Sequence, residues 1–159
     1  MIDLQVGPER VLVMAVQTEQ YSPEQFQVIL DEMTSLTETA GGQVIEVVTQ
    51  KLPKLDGRTA VGSGKLEDIA ALVEAREIDL VISLNALTPS MNRQLEASLK
   101  VQVIDRVQLI LDIFAMRARS REGKLQVALA QYNYLLPRLY GQGKHLSRQG
   151  GGDWDPRAW

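Results

Sequence analysis

Hydrophobic and polar positions follow two kinds of pattern along the chain, one typical of strands and one typical of helices. Short, almost unbroken apolar runs occur at 10–17, 44–48, 80–84 and 101–104, as expected of strands buried on both faces. Between these runs, apolar residues recur every three or four positions, which predicts helices with one buried face. The alternation indicates an α/β fold with a four-stranded, mostly parallel sheet and helices on both faces.

Two of the predicted helices have clear N-terminal signals. Ser22 precedes Pro23, and Gln25 follows Ser22 by three positions, which is the pattern of a capping box with proline in the first turn. Thr88 and Pro89 open a later helix in a similar way. These signals place the helix starts directly from local sequence.

After the fourth predicted strand, from 107 to about 139, only helical periodicity remains. The first part of this segment is apolar on nearly all sides and is expected to form the helix that closes the sheet. A narrower stripe follows at steps of three or four residues, formed by Leu125, Leu129, Tyr132, Leu136 and Leu139. Such a stripe resembles half of a helical hairpin or coiled coil and needs a partner, so we expect a homodimer or a helix partner at Leu125, Leu129, Tyr132 and Leu136.

The sequence thus predicts three parts. They are a parallel α/β domain at 1–106, a helical arm at 107–140, and a Gly-rich basic loop and tail at 141–159.

Charge is distributed unevenly over these parts. The net charge of the whole chain is -3, but residues 117–152 contain seven basic residues and one acid, for a net +6. Residues 1–116 carry -8. The weakly acidic total therefore does not exclude a polyanionic partner, because the positive charge is concentrated in one segment.

Basic segments with few acids and interspersed glycines bind RNA phosphates by charge and shape. The candidate RNA-binding residues are Arg117, Arg119, Arg121, Lys124, Arg138, Lys144, His145 and Arg148. For Arg138 alone, interaction with the C-terminal dipole of its helix is the better explanation. For the segment as a whole, a polyanion is favoured.

Several kinds of chemistry are excluded or made difficult by composition. The chain has no cysteine, which removes disulfides, thiolate metal sites and a cysteine nucleophile. A zinc site or a Ser-His-Asp triad would have to be built around His145, the one histidine. We predict no cofactor and no metal. The N-terminus has neither a basic region nor a long apolar run, so we expect a cytoplasmic protein without a membrane partner.

A glycine-rich segment at 62–65 (GSGK) stands just before a predicted helix, where backbone N–H groups favour anions. Ser63, Gly64 and Lys65 are therefore possible anion-binding residues. A nucleotide-binding loop would also need glycine at the position of Thr59 and a hydroxyl at the position of Leu66. A glycine-rich helix start with a solvated Lys65 is the favoured interpretation.

Two carboxylates, Asp105 and Asp112, are seven residues apart and could in principle share a helix face for acid–base work. Asp105 at the end of the fourth strand is better explained as the N-cap of the next helix. The Asp-x-x-Gly and Asn-Lys-x-Asp elements of a GTPase do not occur among the aspartates and asparagines of this sequence. This chain alone is not expected to hydrolyse GTP.

Short motifs follow one another in a fixed order from about Arg10 to Gly152. They are GSGKL at 62–66, VIDR at 103–106, LDIFA at 111–115, EGKLQV at 122–127, LAQ at 129–131, LPRL at 136–139 and RQGGG at 148–152. In order and spacing this set resembles the N-terminal domain of the HflX family of ribosome-associated GTPases.

The resemblance implies a parallel α/β subdomain followed by a two-helix coiled coil. In the family, the loop between those helices reaches the RNA of the large ribosomal subunit, and the associated roles are subunit splitting or rescue under stress. That loop corresponds to 139–152 of this sequence, whereas 62–65 is not the GTP site of the family. Family members continue into a second coiled-coil helix and a GTPase domain, where this sequence has DWDPRAW at 153–159.

The leading interpretation is therefore a non-enzymatic module that binds the RNA of the large ribosomal subunit. Two alternatives stay open. One is a phosphate- or nucleotide-binding enzyme that uses 62–65, and the other is a protein-docking module that uses the helical stripe.

Overall fold

The computed structural model describes residues 9–117 and 121–150, and the side chains of 116–122 and 139–150 lie outside the description. Within these residues, strands and helices alternate up to the fourth strand and two helices follow. The elements are β1 (Glu9–Gln17), α1 (Pro23–Thr39), β2 (Gly42–Lys51), α2 (Ser63–Ala75), β3 (Leu80–Ser83), α3 (Pro89–Leu99), β4 (Gln102–Asp105), α4 (Arg106–Arg117) and α5 (Arg121–Gly150).

The sheet has the strand order β2-β1-β3-β4, and every adjacent pair is parallel. β1 lies inside the sheet and pairs with β2 over its whole length, while its residues 11–14 also pair with β3. Each connection crosses the sheet through a helix, which is what a parallel ladder requires. The predicted four-stranded α/β sheet is confirmed.

Apolar layers cover both faces of the sheet, because successive residues of β1 point to opposite sides. The six residues from Val11 to Val16 are at most 1% exposed. The first layer joins Val11, Val13 and Ala15 of β1 to Phe26, Leu30 and Met33 of α1 and to Leu109 and Ile113 of α4. The second joins Leu12, Met14 and Val16 to Ile69 and Val73 of α2 and to Met91, Leu95 and Leu99 of α3. Burial on both faces explains why the β1 sequence is continuously apolar.

The predicted helix caps are present. The Ser22 hydroxyl accepts a hydrogen bond from the Gln25 N–H at 3.1 Å, and the Gln25 side chain accepts one from the Ser22 N–H at 2.9 Å. The Thr88 hydroxyl accepts from the Met91 N–H at 3.1 Å. Both caps satisfy N–H groups that the first helical turn leaves without intrahelical partners.

The double glycine between α1 and β2 is required by packing as well as by the turn. Gly41 has a φ of 97°, which side chains rarely adopt. A Cβ on Gly42 would lie 2.9 Å from Cγ2 of Val11 and 3.0 Å from Cγ2 of Thr37. Gly42 therefore lets β2 begin close against β1 and α1.

The outer edge of β4 is bonded to side chains of α3. The Asn92 amide donates to the Val103 carbonyl at 2.8 Å, and the Glu96 carboxylate accepts from the Val103 N–H at 3.1 Å. Such bonds occupy backbone groups that an edge strand otherwise offers to another strand.

The C-terminal helices differ from the sequence prediction. α4 is described to Arg117, and α5 is described from Arg121 through Pro137 to Gly150, so positions 141–150 are helical rather than in a loop. Gly141 and Gly143 each cost only about 1 kcal/mol in a helix, and the residues around them include good helix formers, which outweigh that cost. Positions 118–120 and 151–159 of the predicted arm and tail lie outside the described residues. None of the described helices combines the length and apolarity needed to cross a bilayer.

Candidate functional site

Three polar residues of α5, Gln131, Tyr134 and Arg138, form side-chain hydrogen bonds to the α/β domain and are spaced three and four positions apart. This spacing places them on one face of the helix. The Gln131 amide donates to the Asp112 carboxylate at 3.0 Å and to the Leu111 carbonyl at 3.4 Å, so it joins α5 to α4. Tyr134 and Arg138 reach further, to the C-terminal edge of the sheet.

Asp105, the last residue of β4, is the centre of this contact. Its Oδ1 accepts from the Gln108 N–H at 3.1 Å, which confirms the predicted cap of α4. Its Oδ2 accepts from the Leu87 N–H at 3.0 Å and also from the Tyr134 hydroxyl. The Asp105 side chain is 1% exposed, so its charge is held almost entirely by these partners and by Arg138.

Arg138 completes the contact with its planar guanidinium. Nη2 donates to the Leu87 carbonyl at 2.5 Å and to the Tyr134 hydroxyl at 2.8 Å, and it lies 3.4 Å from Oδ2 of Asp105. Nη1 donates to the Tyr134 carbonyl at 2.9 Å, and the guanidinium carbon lies 3.8 Å from the centroid of the Tyr134 ring. We refer to Asp105, Tyr134 and Arg138 as the Asp105 cluster.

The Asp105 cluster favours a neutral tyrosine. Burial raises the pKa of the Tyr134 hydroxyl well above its usual value, and the hydrogen bond to the Asp105 carboxylate and the charge of Asp105 raise it further. The positive charge of Arg138 acts in the opposite direction and is the smaller effect. Tyr134 therefore stays protonated and donates its hydrogen bond to Asp105.

A cavity of about 190 Å³ lies between α3, β4 and α5 beside the Asp105 cluster. Polar side chains form much of its wall, among them Asn92, Arg93, Glu96 and Gln108. Nη1 of Arg93 and Oε1 of Gln108 are buried and have no hydrogen-bond partner among the described residues. The contact of α5 with the domain is therefore polar and incompletely filled, unlike the close-packed layers of the sheet.

The GSGK segment forms the start of α2, as the favoured interpretation predicts. Gly62 is the N-cap, with no side-chain cap, and its N–H donates to the Gln50 side chain at 3.0 Å. Ser63 and Gly64 are exposed, and Lys65 is half-buried. A Cβ on Gly64 would meet nothing within 4 Å, so packing does not require glycine there. Anion binding at Ser63, Gly64 and Lys65 stays a prediction.

At the point where open α/β sheets usually bind ligands, this sheet has a buried asparagine. The strand order reverses between β1 and β3, and crevices at such points commonly hold ligands. Here Asn85, just after β3, is buried with its Oδ1 accepting from the Val16 N–H at 2.8 Å. Its Nδ2 donates to the Val16 carbonyl at 3.0 Å. Asn85 thus continues the ladder beside β1 and occupies the backbone groups of Val16 at this point.

Known proteins match the chain over most of its length. Residues 27–115 match the family model described as GTP-binding GTPase N-terminal, and residues 117–156 match the GTP-binding GTPase middle region. The GTPase HflX of Alkalihalophilus pseudofirmus is 51% identical over 144 residues, and that of Caldanaerobacter subterraneus subsp. tengcongensis is 46% identical over 152 residues. The chain belongs to the HflX family of GTPases.

The matched segments cover 91% and 96% of this chain but only 34% and 35% of those HflX relatives. A GTP-binding protein from the archaeon Sulfolobus solfataricus, solved in complex with GDP, has a TM-score of 0.59 at 26% identity. That likeness covers 87% of this chain and 42% of the archaeal one. The chain thus corresponds to the N-terminal and middle regions of HflX proteins, and these regions meet at the end of α4.

The predicted RNA-binding residues of this HflX-family chain are distributed along the arm rather than gathered in one described site. Arg117 ends α4 and Arg121 begins α5, whereas Arg119 lies outside the described residues. Lys124 is exposed on α5, and Arg138 is turned into the Asp105 cluster. Lys144, His145 and Arg148 lie in the last turns of α5 rather than in a loop, and their side chains are outside the description. RNA binding by these residues stays a prediction.

The apolar stripe of α5 is covered only in part. Leu125 and Leu129 are 62% and 60% exposed, whereas Tyr132 and Leu136 are half-buried. The stripe is therefore partly covered at Tyr132 and Leu136 and exposed to solvent at Leu125 and Leu129.

The sequence pattern did not predict the structural roles of Gln131 and Tyr134, which bond α5 to the domain, or of Asn85, which bonds to β1. Gln131, Tyr134 and Arg138 repeat at helical spacing, which was a usable signal. Polar residues on a helix usually face solvent, so the sequence pattern predicts the leucine stripe beside them as the contact face. Asn85 carries no local signal, because its partner Val16 is 69 residues away.

Proposed function

We propose that this chain is the ribosome-binding N-terminal module of an HflX-type GTP-binding protein and that its basic segment contacts RNA of the large subunit. One observation carries the proposal: the segment 117–152 with net +6 coincides with the match to the middle region of the family at 117–156. The preceding residues 1–116 carry -8. A phosphate surface therefore attracts one end of the molecule and repels the other.

In this proposal the mechanism is electrostatic attachment by the helical arm. Lysine and arginine side chains displace counterions from RNA phosphates, so affinity falls steeply as salt rises. The repulsion of the acidic domain orients the chain with α5 toward the RNA. Ribosome splitting or rescue under stress is then a property of the full-length family, to which this segment contributes binding.

GTP hydrolysis is assigned to the longer HflX proteins and not to this chain. The relatives that carry the name GTPase are about three times as long as the matched segment. The Asp-x-x-Gly and Asn-Lys-x-Asp elements do not occur in the sequence at hand. We propose that the chain binds without catalysing the reaction.

Cosedimentation with large ribosomal subunits over a series of salt concentrations tests the function. We expect binding at low salt, with a steep decline as ionic strength rises, and weaker binding after Arg119→Ala or Lys144→Ala. Lys54→Ala is the matched control, because Lys54 is exposed in the segment after β2 and is not part of the arm. Absence of the chain from the pellet at low salt, or equal losses for all three variants, contradicts the proposal.

The exposed leucines support a second property, self-association of the chain through α5. Leu125 and Leu129 are one helical turn apart and more than half exposed, and a second copy could cover them by the same face. We expect a concentration-dependent dimer in sedimentation at tens of micromolar, a level where weak dimers form. Leu129→Glu should abolish it, whereas Ala130→Glu, the same change at an exposed position on another face of the helix, should not. A strict monomer for the unchanged chain counts against this proposal.

A further inference from the structure

The described side-chain bonds of α5 to the domain follow a line that ends at the C-terminal edge of the sheet. Gln131 bonds to α4, Tyr134 to the end of β4, and Arg138 to the Leu87 carbonyl in the turn after β3. Beyond Arg138, α5 continues to Gly150. The last described anchor therefore lies immediately before the part of the helix that carries Lys144, His145 and Arg148.

The Arg138 guanidinium makes several bonds within the chain, which leaves few of its N–H groups for an RNA phosphate. Its guanidinium donates to two carbonyls and a hydroxyl, stacks on the Tyr134 ring, and has a side-chain exposure of 17%. The planar fork of arginine suits such simultaneous bonds, which a lysine cannot reproduce. Binding a phosphate would require several of these bonds to be broken.

At Arg138, directional bonds rather than close apolar packing hold α5 to the domain. The neighbouring cavity of about 190 Å³ means that the helix is not wedged between close-packed side chains at this point. α5 ends at Gly150, twelve residues after Arg138. At a rise of 1.5 Å per residue, this part of the helix is about 18 Å long. A rotation of about 10° at the cluster would then displace that end by roughly 3 Å.

We propose that Tyr134 and Arg138, bonded to Asp105, are positioning residues that fix the angle of α5 and so determine where its basic end is presented. Arg138 acts through the helix and does not itself contact the polyanion. The arm angle is a property of this chain alone, and its consequence for RNA binding rests on the proposed function.

Distance measurements between two spin labels test the positioning role without a ribosome. The chain has no cysteine, so Ser98→Cys on α3 and Ala130→Cys on α5, both exposed, give a unique labelled pair. Pulsed electron paramagnetic resonance should show one narrow distance, which broadens or shifts after Tyr134→Phe and after Arg138→Lys. Asn133→Ala, at an exposed neighbour on the same helix, should leave it unchanged. An unaltered narrow distance in both cluster variants, with the domain still folded by circular dichroism, overturns the inference.

The salt dependence of binding to large ribosomal subunits distinguishes positioning from direct contact. Loss of one phosphate contact reduces the slope of log affinity against log salt by about 1. We expect Arg138→Gln to lower affinity with the slope unchanged, whereas Lys144→Gln should reduce the slope. A slope reduced by Arg138→Gln identifies a phosphate contact and refutes the positioning role. If the unchanged chain does not bind the subunit, the proposed function fails, while the label distances still decide the arm angle.

Discussion

In the α/β domain, six successive residues of β1 are at most 1% exposed, whereas α5 meets that domain through hydrogen bonds beside a cavity of about 190 Å³. Apolar burial is non-directional and is shared among many side chains. Hydrogen bonds and stacked charges depend on the positions of a few atoms. Apolar burial therefore stabilises the domain, whereas directional hydrogen bonds orient the arm.

The largest expected difference comes from making the same substitution, leucine to alanine, in each of the two regions. Leu95→Ala removes a fully buried side chain of α3 and should lower the free energy of unfolding by about 2–5 kcal/mol, because a cavity remains. Leu129→Ala on α5, where the leucine is 60% exposed, should change it by less than about 0.5 kcal/mol. Urea unfolding of both variants measures the difference. Equal losses would show that α5 is packed as the domain is.

Asp105 belongs to both regions, so its removal should affect both. Asp105→Ala leaves the buried N–H groups of Leu87 and Gln108 without their partner and releases Tyr134. We expect a loss of about 1–3 kcal/mol in urea unfolding, together with a broadened arm distance. Asp68→Ala, an exposed carboxylate on α2, is the control that should alter neither. A variant that changes the arm distance alone would show that the cap of α4 contributes nothing.

The smallest expected effect is a pH dependence of arm docking. The pKa of Tyr134 is raised in the docked arm by burial and by Asp105, so docking favours the protonated hydroxyl. Docking should be complete below the ordinary tyrosine pKa of about 10 and should weaken as pH rises above it. Among the described residues, Arg138 on the same helix is the other charged group that acts on this hydroxyl, and Arg93 and Glu96 of α3 line the adjacent cavity.

Label distances recorded from pH 8 to 11, a range of about one to two units around that value, measure this effect. Tyr134→Phe should remove the dependence along with part of the docking. A transition that persists in the Tyr134→Phe variant assigns the titration to another group.

Much of the HflX fold could be predicted because its signals are local. Ser22 and Gln25 are three residues apart, and Asp105 caps a helix that begins at the next residue. Burial of β1 on both faces is visible in its own apolar sequence.

The Asp105 cluster could not be predicted in the same way. Tyr134 is 29 residues from Asp105, and Arg138 is 51 residues from Leu87, so no periodicity joins them. The family motifs VIDR and LPRL contain Asp105 and Arg138, but a resemblance in order along the chain does not show that the motifs touch. Tertiary contact placed Gln131, Tyr134 and Arg138 against the domain, whereas the apolar pattern alone predicts the leucine stripe as the contact face.

Because Asn92 and Glu96 already bond the outward groups of Val103, β4 has little backbone to offer a further strand. β2, at the opposite side of the sheet, extends over ten residues and has no backbone partner on its outer side among the described residues. A strand added from a longer HflX chain, or from a neighbouring copy in an aggregate, would therefore join at β2. The two edges of the sheet therefore differ, because two side chains of α3 occupy the backbone groups of Val103 at one of them.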